Sequence, residues 1–328
     1  MNNKQQIGYL NALRVIAVLL VILAHTSLAY YGKHEVMGID NYFARLYHYV
    51  GEVSVPIFVM ISGSLFLMPD KEITYGMLLW KYIRRIALAL LVFGLPMCFA
   101  ETYMTGGEEW FSTALLNFLT GHSWDHMWYL YMLIGLYLLT PILRSFLFHS
   151  SEKTVKTGLS VLFILAIVLP TLQSYGIELD NYITLTPFPF YYLLGGYCAH
   201  FFNTRSTVLP SLMALLFVLA HIVRLCFGGY CPPHSDFFEC IGAVGVFLLF
   251  KNTDVRWSLA DRLVSYVFAI YILHPVFINS AYKILHFHPT TVLPLWASIP
   301  LLTVLFFLLA LLLSWLLRLL PPFRKYIL

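Results

Sequence analysis

The stretch "LRVIAVLLVILAH", residues 13–25, is aliphatic except for Arg14 near its start and His25 at its close. It lies inside a run from residue 8 to residue 30. About 20 apolar residues rising about 1.5 Å each cross the roughly 30 Å of a bilayer core, so this run reads as one transmembrane helix. Comparable runs recur along the whole chain. Of its 328 residues, 60% are hydrophobic and only 11% are charged, and the mean hydropathy is +0.77. Soluble domains hold about 45–50% apolar and about 25% charged residues. The sequence therefore predicts an all-α, polytopic transmembrane helix bundle, with a single domain over 1–328, and excludes a soluble globular enzyme. Ten spans are expected, at 8–30, 45–68, 80–104, 126–147, 156–175, 187–203, 207–227, 235–251, 263–283 and 292–319. The first is longer than a signal-peptide core, carries an arginine and has no small-residue cleavage site after it, so it reads as a retained span.

A net charge of +4 does not call for a nucleic-acid partner, because the basic residues sort by membrane side. With the N-terminus inside, the inner face or inner helix ends hold Lys4, Lys71, Lys81, Arg84, Arg85, Arg144, Lys153, Lys156, Arg205, Lys251, Arg256, Arg262, Arg318, Arg324 and Lys325. The outer side holds Lys33, Arg45, Arg224 and Lys283. This asymmetry fits the positive-inside rule and predicts both termini in the cytoplasm of an inner (plasma) membrane. Among the five cysteines no metal-binding spacing occurs; Cys226 and Cys231 flank the outer turn "CFGGYC" and can form a disulfide if that side is oxidising. The chain has no GxxxxGK, GxGxxG, HExxH or GxSxG motif, so nucleotide hydrolysis, hydride transfer and zinc chemistry lack support and no metal is expected. His286 and His288 read as a solvated loop pair. No internal repeat or inverted symmetry of the transporter kind is visible. The outer segment 105–125 carries an amphipathic stretch that can lie along the surface and gate access from that side.

The polar residues inside the spans carry the chemistry. Arg14 and His25 are eleven residues apart, which places them within about 20° on one helix face and roughly 16 Å apart along it. An intramembrane arginine costs on the order of 2.5–3.5 kcal/mol on insertion scales, so Arg14 either faces a polar interior or snorkels to the inner headgroups. Glu52 lies at about the depth of His25 and can orient its imidazole. Ser62 and Gly63 let another backbone or a ligand come close. Arg84 and Arg85 lie at about the depth of Arg14; they serve topology, or they join it in holding a polyphosphate anion such as coenzyme A, whose oxygens suit planar guanidinium forks. At the outer interface stand Asp125, His126 and Trp128, of which the first two can bind a polar substrate and the tryptophan also fits an ordinary interfacial belt. His274 is buried just before Pro275, whose missing amide leaves a carbonyl one turn earlier in need of a partner.

Together these segments resemble acyltransferase family 3, integral-membrane acyltransferases that move acyl groups from coenzyme A onto cell-surface glycans and other extracytoplasmic acceptors. The resemblance covers most of the chain. It rests on Arg14, ten residues, then His25; on "FxxxSG" at Phe58, Ser62 and Gly63; and on the "RR" pair Arg84 and Arg85. It continues through "HxWYL" at 126–130 with Tyr137 and Pro141, "FYYLLGGY" at 190–197 and "SYxxxxYxLHP" at 265–275. Asn11 stands where many members carry an aspartate, so an ion pair to Arg14 must come from elsewhere, and Val59 stands where many carry a second aromatic. The esterase-like domain fused to several members is not seen, so the chain is expected to act alone or with a separate envelope partner protein.

What the resemblance implies is a membrane acyltransferase of the O-acetyltransferase type. Acyl-CoA, most often acetyl-CoA, would bind at Arg14, Arg84, Arg85, Ser62 and Gly63 on the cytoplasmic side. His25 and Arg14 would carry catalysis, and Glu52, by its depth alone, would orient His25. Asp125, His126, Trp128 and His274 would meet an extracytoplasmic glycan or lipid-linked sugar. The competing class is a transporter or flippase of a glycan, lipid or small organic anion, using the same polar face as its path. A non-catalytic subunit of an envelope glycan machine is a third, for which intramembrane charge is unnecessary.

Overall fold

A computed structural model describes residues 3–31, 38–69, 72–105, 109–124, 126–179, 183–227, 232–253, 255, 257–287, 290 and 293–327. Helices follow the apolar runs throughout, and no strand occurs among the described residues. They are α1 (Asn3–Tyr31), α2 (Ile39–Glu52), α3 (Ser54–Phe66), α4 (Tyr75–Thr105), α5 (Trp110–Thr120), α6 (Trp128–His149) and α7 (Glu152–Ser174). The second half adds α8 (Phe188–His200), α9 (Val208–Cys226), α10 (Phe237–Thr253), α11 (Ser258–Ile284) and α12 (Leu295–Arg318).

Among the described residues, eight stretches are long and apolar enough to cross a membrane: Gly8–Tyr30, Ile39–Phe66, Tyr75–Thr105, Trp128–His149, Glu152–Ser174, Val208–Cys226, Ser258–Ile284 and Leu295–Arg318. Each contains or overlaps an expected span. The other two expected spans, 187–203 and 235–251, form α8 of 13 residues and α10 of 17. A 13-residue helix rises only about 20 Å, short of the hydrocarbon thickness, and the end of α8 is tied to α10. There the Lys251 ammonium donates to the carbonyls of Cys198 at 2.5 Å and Phe202 at 2.6 Å, satisfying the last turn of α8.

Prolines shape the remaining helices. Pro56 cannot donate to the carbonyl of Glu52, and the second span breaks at Val53 into α2 and α3. Wide, π-type turns at Leu90–Gly94 and Ile164–Val168 come just before Pro96 and Pro170, where the regular ladder loses a donor.

The chain divides into two compact units: Met1–Met68 with Ser150–Trp315, and Pro69–His149 with Leu316–Leu328. In the first, α1 packs against α2, α3, α10 and α11; Leu13, Val18 and Ile22 on it are fully covered. Small residues set the helix spacings. A Cβ on Gly63 of α3 would fall on the Tyr192 carbonyl of α8, and one on Gly195 on the Met60 backbone, so these two helices touch main chain to main chain. Polar ties mark the two ends of this unit. At the end where α1 begins, Asn11 donates to Asp261 at 2.8 Å and His200 Nε2 donates to the Ser64 carbonyl at 3.0 Å. At the far end, Tyr30 meets Thr290 at 3.1 Å and the Leu295 amide donates to Asp40 at 3.1 Å. Consecutive spans of this unit therefore run in opposite directions.

In the second unit α5 packs on α4, where Cys98 donates to the Ala114 carbonyl at 3.1 Å. The helix α5 falls on the expected amphipathic stretch, with Phe111, Leu116 and Leu119 exposed. Tyr131 of α6 donates to the Phe118 carbonyl at 2.6 Å.

Candidate functional site

Arg14 and His25 both lie on α1, each half-buried between covered neighbours. The third turn of α1 meets α11, which supplies a carboxylate absent from the sequence around Arg14: Asp261 accepts from Asn11, one helical turn before Arg14. The ion that Asn11 itself lacks is thus brought to this end by another helix.

Further along, His25 faces His274 of α11, ring centroids 5.3 Å apart and planes inclined by 47°. The geometry of His274 follows from its neighbour. Pro275 has no amide to offer the Tyr271 carbonyl, and His274 Nδ1 fills that role at 2.7 Å, with the Ile270 carbonyl at 3.2 Å. A carbonyl only accepts, so Nδ1 carries the proton and, in the neutral ring, Nε2 holds the lone pair. His274 is fully buried. The proline thereby sets the tautomer of the imidazole beside His25.

The α1–α2 contact brings a second group. A Cβ on Gly51 would lie 2.6 Å from the Leu20 carbonyl oxygen, so only glycine lets α2 sit this close to α1. Three residues earlier, His48 Nδ1 donates to the Ala24 carbonyl at 3.3 Å, adjacent to His25. The other ring nitrogen of His48 stands 3.5 Å from Glu52 Oε1. Glu52 thus stands beside the imidazole of His48.

Glu52 also shares a cluster with the start of α10. Asp236 caps that helix, its Oδ1 accepting from the amides of Phe238 at 2.9 Å and Glu239 at 3.1 Å. Its Oδ2 takes the Arg224 guanidinium at 2.8 Å, and Arg224 also donates to the Tyr175 hydroxyl at 2.9 Å. His234 adopts φ 62°, a left-handed conformation that costs a non-glycine residue on the order of 1–3 kcal/mol. Three bonds hold it there: its amide donates to Glu239 Oε2 at 2.9 Å, its Nδ1 lies 3.2 Å from Glu239 Oε1, and its carbonyl accepts from Tyr191 at 3.1 Å. Burial works against a charged His234, but Glu239 and then Glu52 outweigh it and hold its pKa above the usual imidazole value.

Of the other sequence-expected residues, Gly63 is engaged in the contact with α8, and Ser62 donates to its own helix at the Phe58 carbonyl, 2.9 Å. Arg84, Arg85, His126 and Trp128 belong to the second unit. There Arg85 Nε donates to the Ile327 carbonyl at 2.8 Å, Arg84 is exposed, and His126 is buried edge-on to Trp124 with centroids 5.3 Å apart. Trp128 is half-buried at the start of α6. Asp125 and Cys231 fall outside the described residues; Cys226 is exposed. His48, His234 and Glu239 were not expected. Glu239 gave a usable signal, as a carboxylate inside the span 235–251, by the same rule that singled out Arg14.

The acyltransferase domain family, acyltransferase family 3, matches residues 7–319 of the chain. No curated protein and no solved structure matches it.

Proposed function

Because the chain belongs to acyltransferase family 3, a family of membrane acyltransferases, we propose that it transfers an acyl group, acetyl by default, from cytoplasmic acyl-CoA to a hydroxyl of an extracytoplasmic glycan or glycolipid. The observation that carries this reading is the His25–His274 pair, on the helix face that also bears Arg14. A lone intramembrane histidine fits packing as well as chemistry. An imidazole beside a second one of fixed tautomer fits a positioned base.

The steps follow from the residue types. Arg14, and separately Arg84 and Arg85 on the second unit, each offer phosphate oxygens of coenzyme A a planar guanidinium fork. The pantetheine arm reaches along α1 toward His25, on the order of the 16 Å axial rise between the two residues. With the two rings 5.3 Å apart between centroids, a small turn of His25 would bring its N–H to His274 Nε2 and leave the other ring nitrogen basic. That nitrogen takes the proton of the acceptor hydroxyl as its oxygen attacks the thioester carbonyl, which is typically worth 10²–10⁴-fold. The C–S bond breaks, the ester C–O bond forms, and the proton passes from His25 to the departing thiolate as free coenzyme A. In this scheme His274 is a positioning residue, and His126 and Trp128, on the second unit, are the sequence-expected candidates for contact with the acceptor. The membrane is the plasma membrane, in the orientation that the basic residues set.

The test uses purified protein in proteoliposomes with acetyl-CoA and extracted envelope glycan. Free thiol should appear in step with acetyl label on the glycan. Movement of glycan across the membrane without thioester cleavage would mark a transporter instead.

A further inference from the structure

We propose that Glu52, His234 and Glu239 form a divalent-cation site of the Zn²⁺ or Mn²⁺ type. One ligand atom from each residue lies within 4.8 Å of the other two. The three come from separate places in the chain: the last turn of α2, the segment before α10 and the first turn of α10. The imidazole nitrogen and the nearer carboxylate already stand at ligand spacing. Tetrahedral ligands about 2.0–2.2 Å from an ion are about 3.4 Å from one another, and His234 Nδ1 is 3.2 Å from Glu239 Oε1. A rotation of Glu52, whose side chain is the most exposed of the three at 21%, closes the remaining sides.

Charge balance is compatible with the same occupant. Glu239 is only 2% exposed, and two carboxylates this close and this far from water repel unless positive charge lies between them; the His234 imidazole between them can carry one charge. The permanent cation in the neighbourhood, Arg224, is bound to Asp236 and Tyr175. The other groups facing the site are imidazoles: His48 beside Glu52, and His221, whose Nδ1 donates to the Phe217 carbonyl at 2.8 Å. A divalent ion supplies two charges at once. Glu239 is also held from behind, as metal ligands generally are: the His234 amide donates to its Oε2 and Asp236 fixes its backbone. One nitrogen with two carboxylates favours Zn²⁺ or Mn²⁺ over Mg²⁺, which prefers all-oxygen octahedra. Three protein ligands leave a fourth position for water or for a substrate oxygen.

The experiment uses full-length, tag-free protein in detergent, stripped with a chelator and titrated with Zn²⁺ against a fluorescent competitor. Wild type should take up about one tightly held ion per chain, and E239Q and H234Q should each bind at least roughly tenfold more weakly. His286→Ala, outside the site, should leave the affinity unchanged. A wild-type chain that takes up no Zn²⁺, or an E239Q chain with wild-type affinity, would overturn the proposal. If E239Q does not fold, E52Q is read in the same way. The readout is binding alone, so failure here leaves the acyl-transfer proposal standing, and the reverse holds equally.

Discussion

At the scale of single residues, the chemistry turns on where protons sit. Pro275 removes an amide, His274 Nδ1 replaces it on the Tyr271 carbonyl, and the lone pair of Nε2 is thereby available to orient His25. His274→Ala should leave the affinity for acyl-CoA near wild type and lower kcat about 10²-fold, the size of effect expected when a base is held slightly out of place. A matching fall in KM and kcat, or none in kcat, would assign His274 to the helix bend alone. Lys251 is a structural counterpart, tying α10 to the last turn of α8 through two carbonyls. Lys251→Met should lower stability by about 1–3 kcal/mol in detergent unfolding without changing acyl-CoA binding. Arg14, His25 and His274 were legible in the sequence, because a charged or titratable group inside an apolar run announces itself by its cost. The partners of Glu52 were not. His48 is four residues away on its own helix, but His234 and Glu239 lie far along the chain, and only folding brings them to it.

At the scale of helices, glycines decide which backbones can meet. Gly63 and Gly195 lock α3 to α8, and Gly51 seats α2 on α1 beside His25. Gly63→Ala should destabilise the protein by about 1–3 kcal/mol through overpacking, seen as a lower thermal midpoint. Gly135 in the middle of α6 makes the control: a Cβ there meets nothing within 4 Å, so Gly135→Ala should be neutral or stabilise by up to about 1 kcal/mol. The apolar runs predicted every long helix, since length and hydropathy are local properties. Breaks were harder to read. The interruption at Val53 and the wide turns before Pro96 and Pro170 come from lost proline amides, whose effect depends on whether neighbours take up the freed carbonyls. The shortness of α8 was invisible for a related reason: its last turn is satisfied by Lys251, which only folding brings to it.

For the whole molecule, the sequence expectation of an all-α polytopic bundle holds, with consecutive spans of the first unit antiparallel and α1 packed among four other helices. The distribution of basic residues predicts a cytoplasmic C-terminus. A reporter fused after Leu328 should accordingly be active only in a cytoplasmic form, and a periplasmic-type signal would reverse the orientation assigned to donor and acceptor sides. The family match over residues 7–319 includes residues of both units, so the acyltransferase reading draws on both. Its central claim is that His25 removes the acceptor proton during thioester cleavage. The most direct measurement is acyl-CoA-dependent thiol release in proteoliposomes, comparing wild type with His25→Ala at matched protein and matched acyl-CoA occupancy. Loss of turnover by 10²-fold or more with binding retained is the predicted result; turnover within a few-fold of wild type would remove His25 from the mechanism.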